Sequence, residues 1–202
     1  MSRRGLFVTL EGIDRSGKST QARLLAEALG PEAVSVREPG GTEVGERVRA
    51  LVKDPSTAPS PKTEALLFAA ARAELVSEVI LPALDRDLIV VCDRFLDSSL
   101  AYQGAARDLG IDAVRAINRF GIGPLAPDLT VLLDIQPAEA ARRAGALDRF
   151  EAEGLGLQER VLEAFHALAQ AEPERWRVVN ADQNEAKLHA EILELVNQAR
   201  AA

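Results

Sequence analysis

The sequence predicts an α/β fold in three layers, a five-stranded parallel sheet flanked by helices. Five short apolar runs, rich in Val, Ile and Leu, alternate with stretches whose apolar residues recur at helical spacing. The runs are continuously apolar, the pattern of strands buried on both faces of a parallel sheet. The residues just beyond four of these runs are dense in charge, glycine and proline. In parallel sheets ligands sit at the carboxyl ends of the strands, so function is expected there.

Taken in order, Gly5 to Glu11 is the first strand. Residues 19–30 carry apolar side chains at helical spacing and stop at Gly30. Residues 33–38, AVSVRE, form the second strand, and 40–54 a helix with Thr42 as its N-cap. A loop dense in Pro and Ser covers 55–61. One long helix is expected over 62–87, interrupted near Pro82, which lacks an N–H and crowds the preceding turn. Residues 88–95, LIVVCDRF, are the third strand, Leu129 to Ile135 the fourth and 176–181, WRVVNA, the fifth. Further helices start at about Pro137, Leu157 and Asn184. No repeat, linker or low-complexity run divides the chain, so residues 1–202 read as a single domain.

Of the 202 residues, 47% are hydrophobic and 27% charged, enough for a sizeable core. A net charge of −7 argues against a sequence-independent nucleic-acid or membrane-surface binder, although a local phosphate site needs no global charge. Cys92 is the only cysteine, which excludes an internal disulfide and suits a reducing compartment. The N-terminal MSRRGLFVTLEG has no secretory apolar core, and no apolar run approaches the roughly 18 residues that span a bilayer. A soluble cytoplasmic protein is expected.

The strongest motif is Gly12-x-x-x-x-Gly17-Lys18-Ser19, between a strand and a helix. Its glycines let the backbone wrap a phosphate, Lys18 adds a point charge between the outer phosphates, and Ser19 offers a hydroxyl to Mg²⁺. The following helix adds its positive end. Asp93, ending a buried strand beside this loop, suits Mg²⁺ coordination, direct or through water, or equally a helix cap. Arg94 beside it could grip a second phosphate. The remaining arginines of interest are Arg49, Arg72, Arg142, Arg143 and Arg149; several facing one site would hold a phosphate by paired hydrogen bonds, whereas most helix arginines are solvated. Cys92 reads as a small buried strand residue, and His166 and His189 as surface or satisfied histidines. No Asn-Lys-x-Asp run follows a late strand, which lowers a guanine-specific switch.

EGIDRSGKSTQ, REPGG, DRFLDSSLAYQG, PDLTVLLDIQPAEAARR and LDRFE follow one another at suitable spacing. Together they resemble the thymidylate kinase family of P-loop nucleoside monophosphate kinases, over nearly the whole chain. The resemblance implies a P-loop NTPase fold with a short mobile lid, here at about 142–154, and a homodimer. It implies a Mg²⁺-dependent transfer of the ATP γ-phosphoryl group to dTMP, giving dTDP on the way to dTTP. By resemblance, Gly12, Ile13, Asp14, Arg15, Ser16, Gly17, Lys18, Ser19, Thr20 and Arg143 bind ATP. Asp14 lies near the acceptor's 3′-hydroxyl, Glu38 near metal and acceptor, and Arg49 and Arg94 hold the acceptor phosphate. Phe68 stacks on thymine, Arg72 donates to its carbonyl, Ser99 and Gln103 contact the base, and Tyr102 sits against the 2′ position. Asp14, Arg15, Lys18, Asp93 and Arg94 are the expected catalytic residues, and Ser19, Asp93 and Glu38 the metal-binding ones. The loop around Asp182 to Asn184 falls where the family holds the ATP base.

The lid tip AGAL carries no basic residue, whereas Arg15 stands at the apex of the phosphate loop. The expectation is that the charge which family lids often supply is built into the loop here. The alternative is an Arg15 that faces solvent or pairs with Asp14. Rival functions are another P-loop kinase acting on a different nucleotide or deoxynucleoside, and a regulatory NTP-binding switch.

Overall fold

A computed structural model of the chain describes residues 5–143 and 153–201. The lid tip and Arg149 lie outside these described residues. Five strands, β1 (Phe7–Glu11), β2 (Ala33–Arg37), β3 (Ile89–Asp93), β4 (Leu129–Asp134) and β5 (Trp176–Asn180), form one all-parallel sheet in the order β2-β3-β1-β4-β5. β1 is therefore central, with Leu10 opposite Asp93 of β3 and Val131 of β4. Every residue of β1 and β3 is buried, because helices cover both faces. The edge strands β2 and β5 are only partly buried, and their sequences are correspondingly more polar. One apolar core joins Leu10, Val131 and Phe165 on one side; the other joins Phe7, Ile80 and Phe95, with Phe7 and Phe95 meeting edge to face at 4.9 Å.

Helix α1 (Lys18–Leu29) leaves the phosphate loop and ends at Gly30. Helix α2 (Glu43–Lys53) is capped by Thr42, whose hydroxyl accepts from the Gly45 N–H. Helix α3 (Pro61–Leu75) starts on a Ser60 cap and runs on through a π-helical turn, Val76–Ile80, into a last turn, Leu81–Leu84. The expected interruption at Pro82 is thus a widening of the helix one turn earlier, which makes room for the proline ring against the preceding carbonyls.

Two helical segments go beyond the sequence expectation. α4 (Leu96–Ser99) continues as π-helical Leu100–Ala106, and α5 (Ile111–Ile122) lies between Gly110 and Gly123. The inward positions of α5 are Val114, Asn118 and Ile122, so a polar residue interrupts its apolar stripe. α6 (Pro137–Ala141) precedes the undescribed stretch; α7 (Leu155–Ala171) and α8 (Glu185–Ala201) complete the flanking layers. Among the described residues, no helix is long and apolar enough to cross a membrane.

Candidate active site

The carboxyl ends of β1, β3 and β4 open onto the phosphate loop. The chain turns out of β1 at Gly12, with φ 144°; a Cβ there would lie 2.8 Å from the Leu133 carbonyl oxygen, so no other residue fits. Ile13 is fully buried and pins the loop to the core. Gly17, at φ 101°, begins α1 without a side-chain cap, so the first N–H groups, from Lys18 through Thr20, remain available to an anion.

Lys18 folds back over this loop, its Nζ donating to the Ile13 carbonyl at 2.6 Å and to Ser16 Oγ at 3.2 Å. Burial pushes its pKa down to about 8, with Arg94 adding to the effect and Asp93 and Asp14 opposing it. Ser19 Oγ donates to Asp93 Oδ2 at 2.5 Å. Asp93 Oδ1 is buried with no partner among the described residues. A hydroxyl and a carboxylate with an unused oxygen suit a hard divalent cation. Among the described residues no three His, Cys, Asp or Glu side chains form a metal cluster. Phosphate and water oxygens would therefore have to complete the shell.

Asp14 and Arg94 form an ion pair at 2.6 Å. Tyr102 donates to Asp14 Oδ2 at 3.1 Å, and Gln158 Nε2 donates to the same oxygen at 2.9 Å. Burial alone would raise the Asp14 pKa, but Arg94 and then Lys18 outweigh it and hold the carboxyl below its usual range. Arg94 adopts a left-handed backbone, φ 71°, which aims its guanidinium at the Gly12 carbonyl and at Ser98 Oγ, both 3.0 Å away, and over the Tyr102 ring.

Across the cleft, Arg72 is almost fully buried and anchored on several sides. Its Nε donates to Glu38 Oε2 at 2.7 Å and its Nη2 to the Phe95 carbonyl and Ser99 Oγ; Nη1 donates to Asn118. One N–H of Nη1 stays uncommitted among the described residues. Burial pushes Glu38 up to about 7 against the pull of Arg72, and its Oε1 has no partner among the described residues. Arg49 donates to the Pro39 carbonyl at 2.9 Å. Phe68, Tyr102 and Gln103 complete this cleft.

A second cleft lies on the other side of the loop, between α1 and the segment Ala181–Glu185 that follows β5. Arg143 bridges its walls: Nη1 donates to the Arg15 and Ser16 carbonyls and Nη2 to the Ala181 carbonyl at 2.7 Å. Arg15 returns the contact, donating to the Arg143 carbonyl at 3.0 Å. Arg142, by contrast, turns outward to Glu139. Arg15, Lys18 and Ser19 line both clefts, so groups bound in the two would meet over these three side chains.

Away from the clefts, Cys92 is fully buried, its thiol donating to the Arg94 carbonyl and its pKa pushed up by burial. His166 sits 3.2 Å from Asp134 on a partly exposed face, while His189 Nδ1 is buried with no partner among the described residues. Sequence reasoning missed Gln158 and Asn118, which orient Asp14 and Arg72, and the buried Glu64, which orients Gln103. The available signal was a polar residue at an inward position of an otherwise apolar helix face.

The family model described as thymidylate kinase matches residues 10–192. Similar curated proteins include the thymidylate kinase of Deinococcus radiodurans, 48% identical over 96% of this chain and 97% of that protein. The thymidylate kinase of Lactobacillus delbrueckii subsp. bulgaricus is 45% identical over 95% of both chains. That of Thermoanaerobacter sp. is 42% identical over 96% of this chain and 98% of its own.

Proposed function

We propose that this chain, which belongs to the thymidylate kinase family, transfers the γ-phosphoryl group of ATP to dTMP, giving dTDP and ADP. The observation that carries the reading is the pair of clefts that share Arg15, Lys18 and Ser19. ATP occupies the cleft between α1 and residues 181–185, its phosphates cradled by the loop from Gly12 to Thr20 and its base beside Arg143. dTMP occupies the other, with its base between Phe68 and the Arg72–Gln103 side and its phosphate near Arg49 and Arg94. Tyr102 and Asp14 lie where the sugar would pass. The acceptor phosphate oxygen is already anionic, so alignment, charge neutralisation and exclusion of water suffice, and no general base is required.

In this reading Arg94 must give up part of its hold on Asp14 when the acceptor phosphate arrives, and Lys18 must leave the Ile13 carbonyl for the ATP phosphates. Both carry the charge needed at the bridging oxygens. Ser19 and Asp93 would hold Mg²⁺, with Glu38 close behind on the acceptor side; the ion neutralises phosphate charge when bound.

The test is ADP formation by purified protein across a panel of acceptors. dTMP should support rapid turnover, dUMP slower turnover and dCMP almost none. A missing methyl is typically worth about 1–3 kcal/mol, whereas a mismatched hydrogen-bonding edge can reach about 10⁴-fold. Comparable kcat/KM for dCMP and dTMP, or hydrolysis independent of acceptor, would refute the reading.

A second copy of the chain is the proposed partner. Leu51, Leu66 and Phe120 are exposed apolar residues on α2, α3 and α5, helices that pack against one another in that order. Phe120 is 98% exposed.

A further inference from the structure

Gln103 faces the cleft assigned above to the acceptor, yet is itself only 2% exposed. Its Nε2 donates to Glu64 Oε1 at 2.9 Å, and the same oxygen accepts from Arg107 Nε at 2.7 Å. Glu64 stands in the first turn of α3 and is 1% exposed. The other edge of Arg107 makes two hydrogen bonds to Glu153, at 2.8 and 2.6 Å. A carboxylate paired with a guanidinium only accepts hydrogen bonds. Turning the Gln103 amide over would set its carbonyl against that buried oxygen, two acceptors in contact. Glu64 therefore decides which end of the amide is left for the cleft, and that end is Oε1, which has no partner among the described residues.

We infer that Glu64 is a positioning residue for acceptor choice: by holding the Gln103 amide nitrogen it presents the Gln103 carbonyl to the base. A base bound there must offer an N–H at that edge. Thymine and uracil carry such an imide N–H at N3, whereas cytosine presents a lone pair. Glu64 touches no substrate; it acts through Gln103, with Arg107 holding its carboxylate in place. The inference rests on the acceptor cleft proposed above and deepens it.

The experiment is steady-state kinetics with dTMP and dCMP on the wild type and on Glu64→Met, Glu64→Gln and Gln103→Ala. Glu64→Met keeps the length of the side chain but removes the acceptor. It should raise the KM for dTMP and lower the dTMP-to-dCMP preference by about 10-fold or more, with the KM for ATP unmoved. Glu64→Gln keeps one accepting oxygen and should retain the preference to within about 3-fold. Adding Glu64→Met to Gln103→Ala should leave the preference unchanged, because the effect runs through Gln103. A preference unaltered in a folded Glu64→Met variant overturns the inference while leaving the dTMP reading intact. A wild type that does not turn over dTMP removes both. If Glu64→Met does not fold, the wild type decides with dTMP methylated at N3: about 100-fold weaker inhibition than dTMP gives binding is expected, and equal affinity overturns the inference.

Discussion

At the residue scale, Arg15 concentrates the largest consequence in one side chain. It sits at the apex of the phosphate loop in the left-handed region, φ 61°, and lines both clefts. Its guanidinium reaches the carbonyl of Arg143, the last described residue before the lid tip. In the proposed reaction a cation there would meet the charge that spreads over the bridging and equatorial oxygens as the phosphoryl group leaves ATP. Arg15→Ala should lower kcat and kcat/KM for ATP together, by about 10²–10³-fold, since Lys18 remains. Arg15→Lys should recover only part, because an ammonium cannot bridge two oxygens as a planar fork does. Initial-rate measurements at varied ATP decide it: a raised KM at unchanged kcat would mean that Arg15 serves the ground state instead.

At the scale of elements, β1 does more than end at the phosphate loop. Its last residue, Glu11, accepts from the Phe95 N–H at 2.8 Å and from Ser98 Oγ at 2.6 Å, and so fixes the start of α4 against the sheet. Burial pushes the Glu11 pKa up from 4.5 to about 7, with Asp97 adding to the rise and Arg94 opposing it. The folded protein thus keeps a proton that the unfolded chain has already lost. That contribution to stability is whole below about pH 4.5 and gone once the pH passes about 7. Glu11→Gln cannot titrate, so the wild type should lose stability relative to this variant across that window, by on the order of 3 kcal/mol. Urea unfolding midpoints of both proteins between pH 4.5 and 8 provide the check. A constant difference would place the Glu11 pKa outside the window.

At the scale of the molecule, the strand order brings β1 between β3 and β4, so Asp93 and the residues after it flank the phosphate loop. The cleft proposed for the acceptor is then built from segments far apart in sequence: the loop after β2, α3, and α4 with its π-helical continuation. α3 stands at the middle of this wall, with Arg72 facing the cleft and Leu66 facing outward. A second copy docked on α2, α3 and α5 would buttress the acceptor side from behind. Sedimentation at micromolar concentration should give about twice the 21.7 kDa chain mass. Phe120→Ser should shift the protein toward that single-chain mass while leaving each chain folded, because Phe120 is 98% exposed within one chain. A wild type that sediments only at the chain mass refutes the dimer.

The sequence by itself determined the elements whose chemistry is local. Continuous apolar runs define strands buried on both faces, glycines at fixed spacing define the phosphate loop, and Thr42 caps its own helix three residues ahead. It was less able to define α4 and α5, because DSSLAYQG carries no sustained apolar periodicity and Asn118 breaks the apolar stripe of α5. Only the tertiary structure decided strand order, the outward turn of Arg142 against the inward turn of Arg143, and the partners that aim the site. Gln158 reaches Asp14 across 144 positions, Arg72 meets Asn118 across 46 and Glu64 meets Gln103 across 39. Periodicity and motif spacing report on a few turns of chain at most, whereas these contacts exist only after the sheet has ordered its strands and the helices have packed on it.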